Sequence, residues 1–224
     1  MSAKQETSVL RETGADRTTR ADRATRRAVF LAKDGVVVHS GPPGAETPRL
    51  RLVNDVGPGL RLLRDAGFSF EVVAREPGVA RGLYDEGSLE AVRRQLDELL
   101  AVEGIVLAGY SYCPHDPHGV RRGYAVECVC RPPQPGLLKR AAQERRLHLG
   151  RSWLIGATLD DVEAGVRAGC RTVMLDDGHE REWRMSEARL PHHVAQGFDE
   201  AALLILEDEH VLSWRERAVA ARSR

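Results

Sequence analysis

Cys113-Pro-His115 is followed, twelve residues later, by Cys128-Val-Cys130. Three thiols and an imidazole within eighteen residues suit a closed tetrahedral zinc shell. His118 lies close enough in sequence to compete with His115 for the fourth place. Either way the shell is filled by protein, leaving no open coordination position, so the metal would be structural rather than catalytic. The intervening loop carries Pro114, Pro117, Gly119 and Gly123 and little apolar surface, so its order would depend on the metal. In a reducing compartment such a cluster reads as ligands rather than disulfides. Cys128 and Cys130 are also too close in sequence to bridge without strain. Cys170 follows Gly169 at the start of an apolar run and reads as a small buried hydrophobe. His148, His179, His192, His193 and His210 show no ligand spacing.

A second set of groups falls where strands would end. Asp34-Gly35 reads as a turn after an apolar run, which needs no chemistry of its own. Thr158-Leu-Asp-Asp161 has the spacing of a capping box, placing Asp161 at the third position of a helix. Lys33, Arg75 and Arg131 are cations near the same ends. If they point inward they suit a phosphorylated ligand, although Glu76 beside Arg75 would weaken that charge.

These residues are positioned by alternating strand and helix patterns. Strands are expected at 28–31, 71–74, 105–108, 152–155 and 171–175. Helices are expected at 56–66, from an N-cap at Ser88 to Gly104, and at 136–147, 158–168 and 199–206. Such repetition predicts an α/β fold, a parallel sheet flanked by helices, with ligands beyond the carboxyl ends of the strands. Residues 1–27 are polar and read as a disordered arm, 28–206 as the domain carrying the 113–130 loop, and 207–224 as a helical tail. With 33 basic and 33 acidic residues, nothing pulls the chain toward nucleic acid. No apolar run suits a membrane span and the N-terminus lacks a signal-peptide core, so a cytoplasmic protein is expected.

Several segments carry a family resemblance. Phe30-Leu-Ala-Lys-Asp34-Gly35 resembles the first motif, F-L-D-R-D-G, of the haloacid dehalogenase (HAD) superfamily phosphatases. Val72-Val-Ala-Arg-Glu-Pro-Gly-Val-Ala-Arg-Gly82 resembles the V-V-T-N-Q-x-G-I-A-R-G segment of one branch. That branch holds the D-glycero-D-manno-heptose 1,7-bisphosphate phosphatases and the histidinol-phosphate phosphatases. Tyr112-Cys-Pro-His-Asp-Pro117 and Cys128-Val-Cys-Arg-Pro-Pro-Gln-Pro-Gly136 are similar to its zinc-loop segments, Y-C-P-H-H-P and C-x-C-R-K-P-K-P-G. Leu154-Ile-Gly-Ala-Thr-Leu-Asp-Asp161 is similar to its fourth motif. The resemblance spans about residues 28–206 and implies a HAD-type Rossmann-like sheet without a large cap domain. It also implies zinc on Cys113, His115, Cys128 and Cys130.

The same alignment implies that a reaction centre has been removed. The family's nucleophilic, magnesium-binding aspartate falls at Ala32 and its phosphoryl-holding threonine at Ala74. Its charge-neutralising lysine falls at Pro132, and a second magnesium ligand at Ala157. Asp34 matches the family's general acid/base, whose main-chain carbonyl also touches magnesium; Asp161 matches the distal motif-four acid. Arg131 matches a residue that contacts the substrate's phosphate or sugar. Alanine supplies neither nucleophile nor metal ligand, and phosphomonoester hydrolysis needs accelerations of up to ~10²¹. The expectation is therefore a pseudophosphatase with structural zinc and without magnesium, which binds a phosphorylated sugar-type molecule or a partner enzyme. The alternatives are an active sugar-phosphate phosphatase with a rebuilt centre, and a purely structural interaction protein.

Overall fold

The computed structural model describes residues 26–39, 49–176 and 184–222, with side chains of the last helix described to His210. Its centre is strand β1 (Ala28–Ala32), five residues that are all buried. An unbroken apolar strand of this kind must be covered on both faces. It lies between β4 (Ser69–Arg75) and β6 (Trp153–Gly156), parallel to both. β5 (Gly109–Cys113) continues the sheet beyond β4, and β7 (Arg171–Leu175) and β8 (His193–Ala195) continue it beyond β6. The six-stranded order is β5-β4-β1-β6-β7-β8, every pairing parallel. A separate two-strand antiparallel ribbon pairs β2 (Val38–His39) with β3 (Arg51–Leu52). The chain builds outward from β1 in one direction and then the other, which opens a crevice at the carboxyl ends of β1, β4 and β6.

Alternation along β1 assigns the two faces. Val29 and Leu31 pack with Leu60 and Leu63 of α1 (Val56–Asp65), Leu96 and Leu100 of α3 (Glu86–Val102), and Phe198 and Ile205 of α6 (Phe198–Arg222). Ala28 and Phe30 face Leu138 and Ala141 of α4 (Gly136–Arg145) and Ala164 of α5 (Leu159–Ala168). The short helix α2 (Pro77–Ala80) follows β4 directly. The expected class, a parallel sheet covered on both faces by helices, is the one observed.

Several boundaries differ from expectation. The third strand is Gly109–Cys113 rather than 105–108. Ile105 is buried but Val106 is 85% exposed, and pairing with β4 starts only where Gly109 lies opposite Glu71. A Cβ at Gly109 would sit 2.0 Å from the Arg145 side chain, which reaches across it to the buried Glu71. Helix α3 begins at Glu86 with Asp85 as its cap, so Ser88 lies inside it, its amide bonded to the Asp85 carbonyl. β8, the ribbon and α2 were absent from the expected elements, being too short to show a period.

The two chain ends also belong to the fold further than expected. Residues 1–25 of the arm lie outside the described residues. Arg26, however, bridges Leu147, and Arg27 stacks over Phe68 and pairs with Glu209 at 2.5 Å. Glu209 also takes the Trp153 indole N–H at 3.1 Å and pairs with Arg171, while Asp208 meets His193 at 3.2 Å. These contacts carry α6 past Leu206 as one continuous helix, without the expected break at 207. Among the described residues no helix is long and apolar enough to cross a membrane.

Candidate functional site

β5 delivers the first metal-type ligand. Its last residue, Cys113, is held in register opposite Arg75, and its carbonyl accepts the Glu76 amide at 2.9 Å. The loop then turns back so that His115, Cys128 and Cys130 meet Cys113, with all donor atoms within 4.8 Å of one another. The sulfur separations are 3.5 Å (Cys113–Cys128), 3.1 Å (Cys113–Cys130) and 3.2 Å (Cys128–Cys130). His115 Nδ1 lies 3.6 Å from Cys113 Sγ and 3.3 Å from Cys130 Sγ. A tetrahedral ion with metal–sulfur bonds of about 2.3 Å sets its sulfurs ~3.8 Å apart, so this cluster is a slightly contracted version of that shell. The donor set fits a small tetrahedral ion of zinc's class. His118 is not in the cluster; its amide instead donates to Asp116 at 3.1 Å.

Hydrogen bonding among the sulfurs concentrates negative charge on one of them. The hydrogen bond that Cys113 and Cys130 share, opposed by burial, brings the Cys130 thiol down to about 5, while the same pairing pushes Cys113 up. The Arg131 amide adds a donor 3.3 Å from Cys128 Sγ, and its guanidinium reaches the His115 carbonyl at 2.9 Å, clamping the loop's two limbs. The loop also docks on α2: the amides of Val120 and Arg121 both meet the Ala80 carbonyl at 2.8 Å. Gly119 permits this approach, since a Cβ there would lie 2.7 Å from that carbonyl. Asp116, buried beside it, takes the Arg81 guanidinium at 2.7 Å. Burial opposes its ionisation, but the His118 amide with Arg81 and Arg131 hold it below the usual carboxylate range.

At the neighbouring strand ends Ala32, Ala74 and Ala157 are buried. Between them runs an ionic network. Lys33, only 5% exposed, places Nζ 2.5 Å from Glu76 Oε1 and 3.5 Å from Asp34 Oδ2. Glu76 also accepts the Tyr84 hydroxyl at 2.7 Å and the Tyr110 hydroxyl at 2.9 Å. Burial first, and then Glu76 through its hydrogen bond and its charge, push both phenols upward, so they act as neutral donors. Glu76 thus pairs with Lys33, not with Arg75 as its place in the sequence suggested. Arg75 is one-third exposed and turns toward the start of α5, 3.4 Å from Thr158 Oγ1 and 4.0 Å from Asp160 Oδ2.

Asp161 stands in a complete capping box. Thr158 Oγ1 accepts the Asp161 amide at 3.3 Å, and Asp161 Oδ2 accepts the Thr158 amide at 3.1 Å and its hydroxyl at 2.7 Å. Its backbone neighbour Gly156 is required by this packing, because a Cβ there would lie 2.5 Å from the Asp161 Cβ.

The HAD-hydrolase-like family model matches residues 129–201. The D-glycero-beta-D-manno-heptose-1,7-bisphosphate 7-phosphatase of Escherichia coli is 32% identical over 148 residues, 66% of this chain and 78% of that protein. This chain belongs to the HAD superfamily, in the heptose-bisphosphate phosphatase branch. The Yersinia pestis enzyme of the same name is 30% identical, covering 66% of this chain and 79% of its own length. Among solved structures, a had-like protein of Mesorhizobium loti aligns with TM-score 0.71 at 25% identity, over 82% of this chain and 87% of that one. The D,D-heptose 1,7-bisphosphate phosphatase of B. bronchiseptica, complexed with magnesium and phosphate, aligns with TM-score 0.65 at 24% identity, over 81% and 99%.

Within this HAD fold the site residues separate into two groups. The metal ligands named from sequence converge. The three cations named with them do not: Lys33 turns to Glu76, Arg75 to the start of α5, and Arg131 to the His115 carbonyl. A divalent ion at the strand ends would meet fewer oxygen donors than the resemblance expects. Such an ion takes several oxygen ligands in near-octahedral geometry. At the two positions where the resemblance expects carboxylates stand the methyl groups of Ala32 and Ala157, and an ammonium lies beside Asp34. Reasoning from sequence missed Glu76, Tyr84 and Tyr110 as one unit. Nothing local marks them, since sheet pairing between β4 and β5 is what brings Tyr110 to Glu76.

Proposed function

We propose that this protein is a HAD-fold pseudophosphatase, one that binds a phosphorylated sugar-type molecule, or a partner enzyme, without hydrolysing a phosphate ester. One observation supports the reading: Ala32 and Ala157, at the positions where the resemblance places the nucleophile and a metal ligand, are buried methyl groups. Phosphoryl transfer relies on positioned cations and, in the covalent route, on an attacking group at that place. Asp34 serves its turn and the Lys33 pair, and Asp161 serves its helix. Arg75, with long contacts and one-third exposure, is the cation with donors to offer an anion. Arg131 and Lys33 add positive potential while bonded elsewhere. Zinc on Cys113, His115, Cys128 and Cys130 holds the loop against α2. In an alternative reading, a purely structural interaction protein in the cytoplasm, the arm at 1–27 and the segment at 207–224 carry the contacts to a partner.

Titration calorimetry with heptose and other sugar phosphates, run beside phosphate-release assays, tests this. Binding without release, weakened by Arg75→Gln and unchanged by added magnesium, is the expected result. Magnesium-dependent release abolished by chelation overturns it. The second reading, a rebuilt phosphatase using Asp34, is favoured by that side chain's half-exposure at the crevice mouth. It predicts a beryllofluoride adduct on Asp34.

A further inference from the structure

We propose that the buried Lys33 ammonium neutralises the carboxylates of Glu76 and Asp34 and so bars a divalent metal from the crevice. This rests on the reading of Ala32 and Ala157 as emptied ligand positions. Asp34, whose main-chain carbonyl is the ligand that the resemblance leaves in place, has its carboxylate 3.5 Å from Lys33 Nζ. Glu76, as buried as Lys33, closes the pair from the other side at 2.5 Å. The carboxylate of Glu76 is saturated: Oε1 takes Lys33 and Tyr110, and Oε2 takes Tyr84. The remaining acids nearby are also engaged, Asp161 in its cap and Asp160 with Arg189 at 2.9 Å. A dication would therefore have to displace an ammonium from carboxylates that are already neutralised.

Residue choice points the same way. Of the chain's 33 basic residues only three, Lys4, Lys33 and Lys139, are lysines. At position 33 the related motif carries arginine. An ammonium is a compact point charge with three donors, closer in shape to a small ion than a planar guanidinium is. The pair is also tied to the metal loop, because the Glu76 amide is bonded to the Cys113 carbonyl. Ligand binding in the crevice is then independent of magnesium, and chelators act on this protein only through the cysteine cluster.

The test uses full-length, zinc-loaded protein. Manganese is titrated and free ion followed by electron paramagnetic resonance, for the native chain, Lys33→Met, and Lys33→Met with Glu76→Gln. Native protein is expected to show no tight site. Lys33→Met should bind manganese at least about a hundredfold more tightly, as removal of a charge next to a dication requires, and the double variant should lose that gain. A second measurement needs no variant. Acylation of native protein, read by peptide mass spectrometry, should modify Lys33 more than about tenfold more slowly than the exposed Lys139, because reaction waits on local opening. Tight manganese binding by native protein, no gain in Lys33→Met, or labelling of Lys33 at the rate of Lys139 each overturns the inference. Phosphate release without divalent metal would instead sink the inactivity reading and leave this one standing.

Discussion

Two neighbouring regions of one sheet end are built differently. The loop on β5 keeps its three thiols and imidazole within 4.8 Å, braced by Arg131, Asp116 and α2. The crevice beside it, at the ends of β1, β4 and β6, presents Ala32, Ala74 and Ala157. The physical difference is what each set of groups does in the resting protein. Loop ligands hold together a segment with little apolar surface of its own, so losing one costs the fold. Catalytic groups are spent on a transition state and add nothing to the folded state's stability. At Ala32, Ala74 and Ala157, where the resemblance expects such groups, methyl groups are easily buried. The crevice even gains cohesion, since a buried ion pair and two tyrosine hydrogen bonds now cross it.

The largest expected effect breaks the loop side of this contrast. Cys128→Ser should abolish binding of one zinc per chain by native mass spectrometry and expose 113–130 to protease. Metal binding contributes about 10 kcal/mol or more in small zinc peptides, so even a fraction of that would lower the melting temperature sharply. Retained zinc with unchanged melting would mean that the cluster is not what orders the loop.

On the crevice side the next effect is smaller. Glu76→Gln leaves the Lys33 ammonium buried without its anion, a change that typically costs about 3–5 kcal/mol. Replacing both together, Lys33→Met with Glu76→Leu, should recover most of that loss, because a well-packed apolar pair replaces a buried ionic one at little cost. Urea denaturation of Lys33→Met, Glu76→Leu and the variant carrying both closes the cycle. Additive losses would show that the pair is not coupled, and the crevice would then lack the internal bond that distinguishes it from an open active site.

How legible each region was follows from sequence distance. Ala28–Ala32 announces itself, because a strand buried on both faces needs no partner to be read. The metal ligands lie within one loop, so their spacing sufficed. The cap of α5 is contained in Thr158–Asp161 and was legible for the same reason. By contrast, Lys33, Glu76, Tyr84 and Tyr110 meet only after β1, β4 and β5 are laid side by side. No period or motif marks that encounter. β5 was misplaced because hydrophobicity favoured 105–108, whereas pairing is set by Gly109 leaving room for Arg145 over Glu71. The tail was separated from α6 because Asp208 and Glu209 interrupt the apolar pattern, although Arg27, Arg171 and Trp153 are what they serve.

The smallest expected effect is also the most discriminating, because it asks what a retained motif residue is for. By resemblance Asp161 matches the distal acid of the family's fourth motif, yet its oxygen here accepts the Thr158 amide at 3.1 Å and hydroxyl at 2.7 Å. If capping is its whole role, Asp161→Asn keeps an acceptor oxygen and should cost less than about 0.5 kcal/mol, apart from a small loss of charge at the helix start. Thr158→Ala removes the cap itself and should cost about 1 kcal/mol. Neither should change ligand affinity by calorimetry by more than about twofold, since neither group would then be touching an anion. A metal-holding aspartate gives the opposite ordering: the asparagine variant would lose ligand binding while Thr158→Ala lost only stability. The two profiles, set side by side, decide whether the start of α5 belongs with the braced loop or with the crevice.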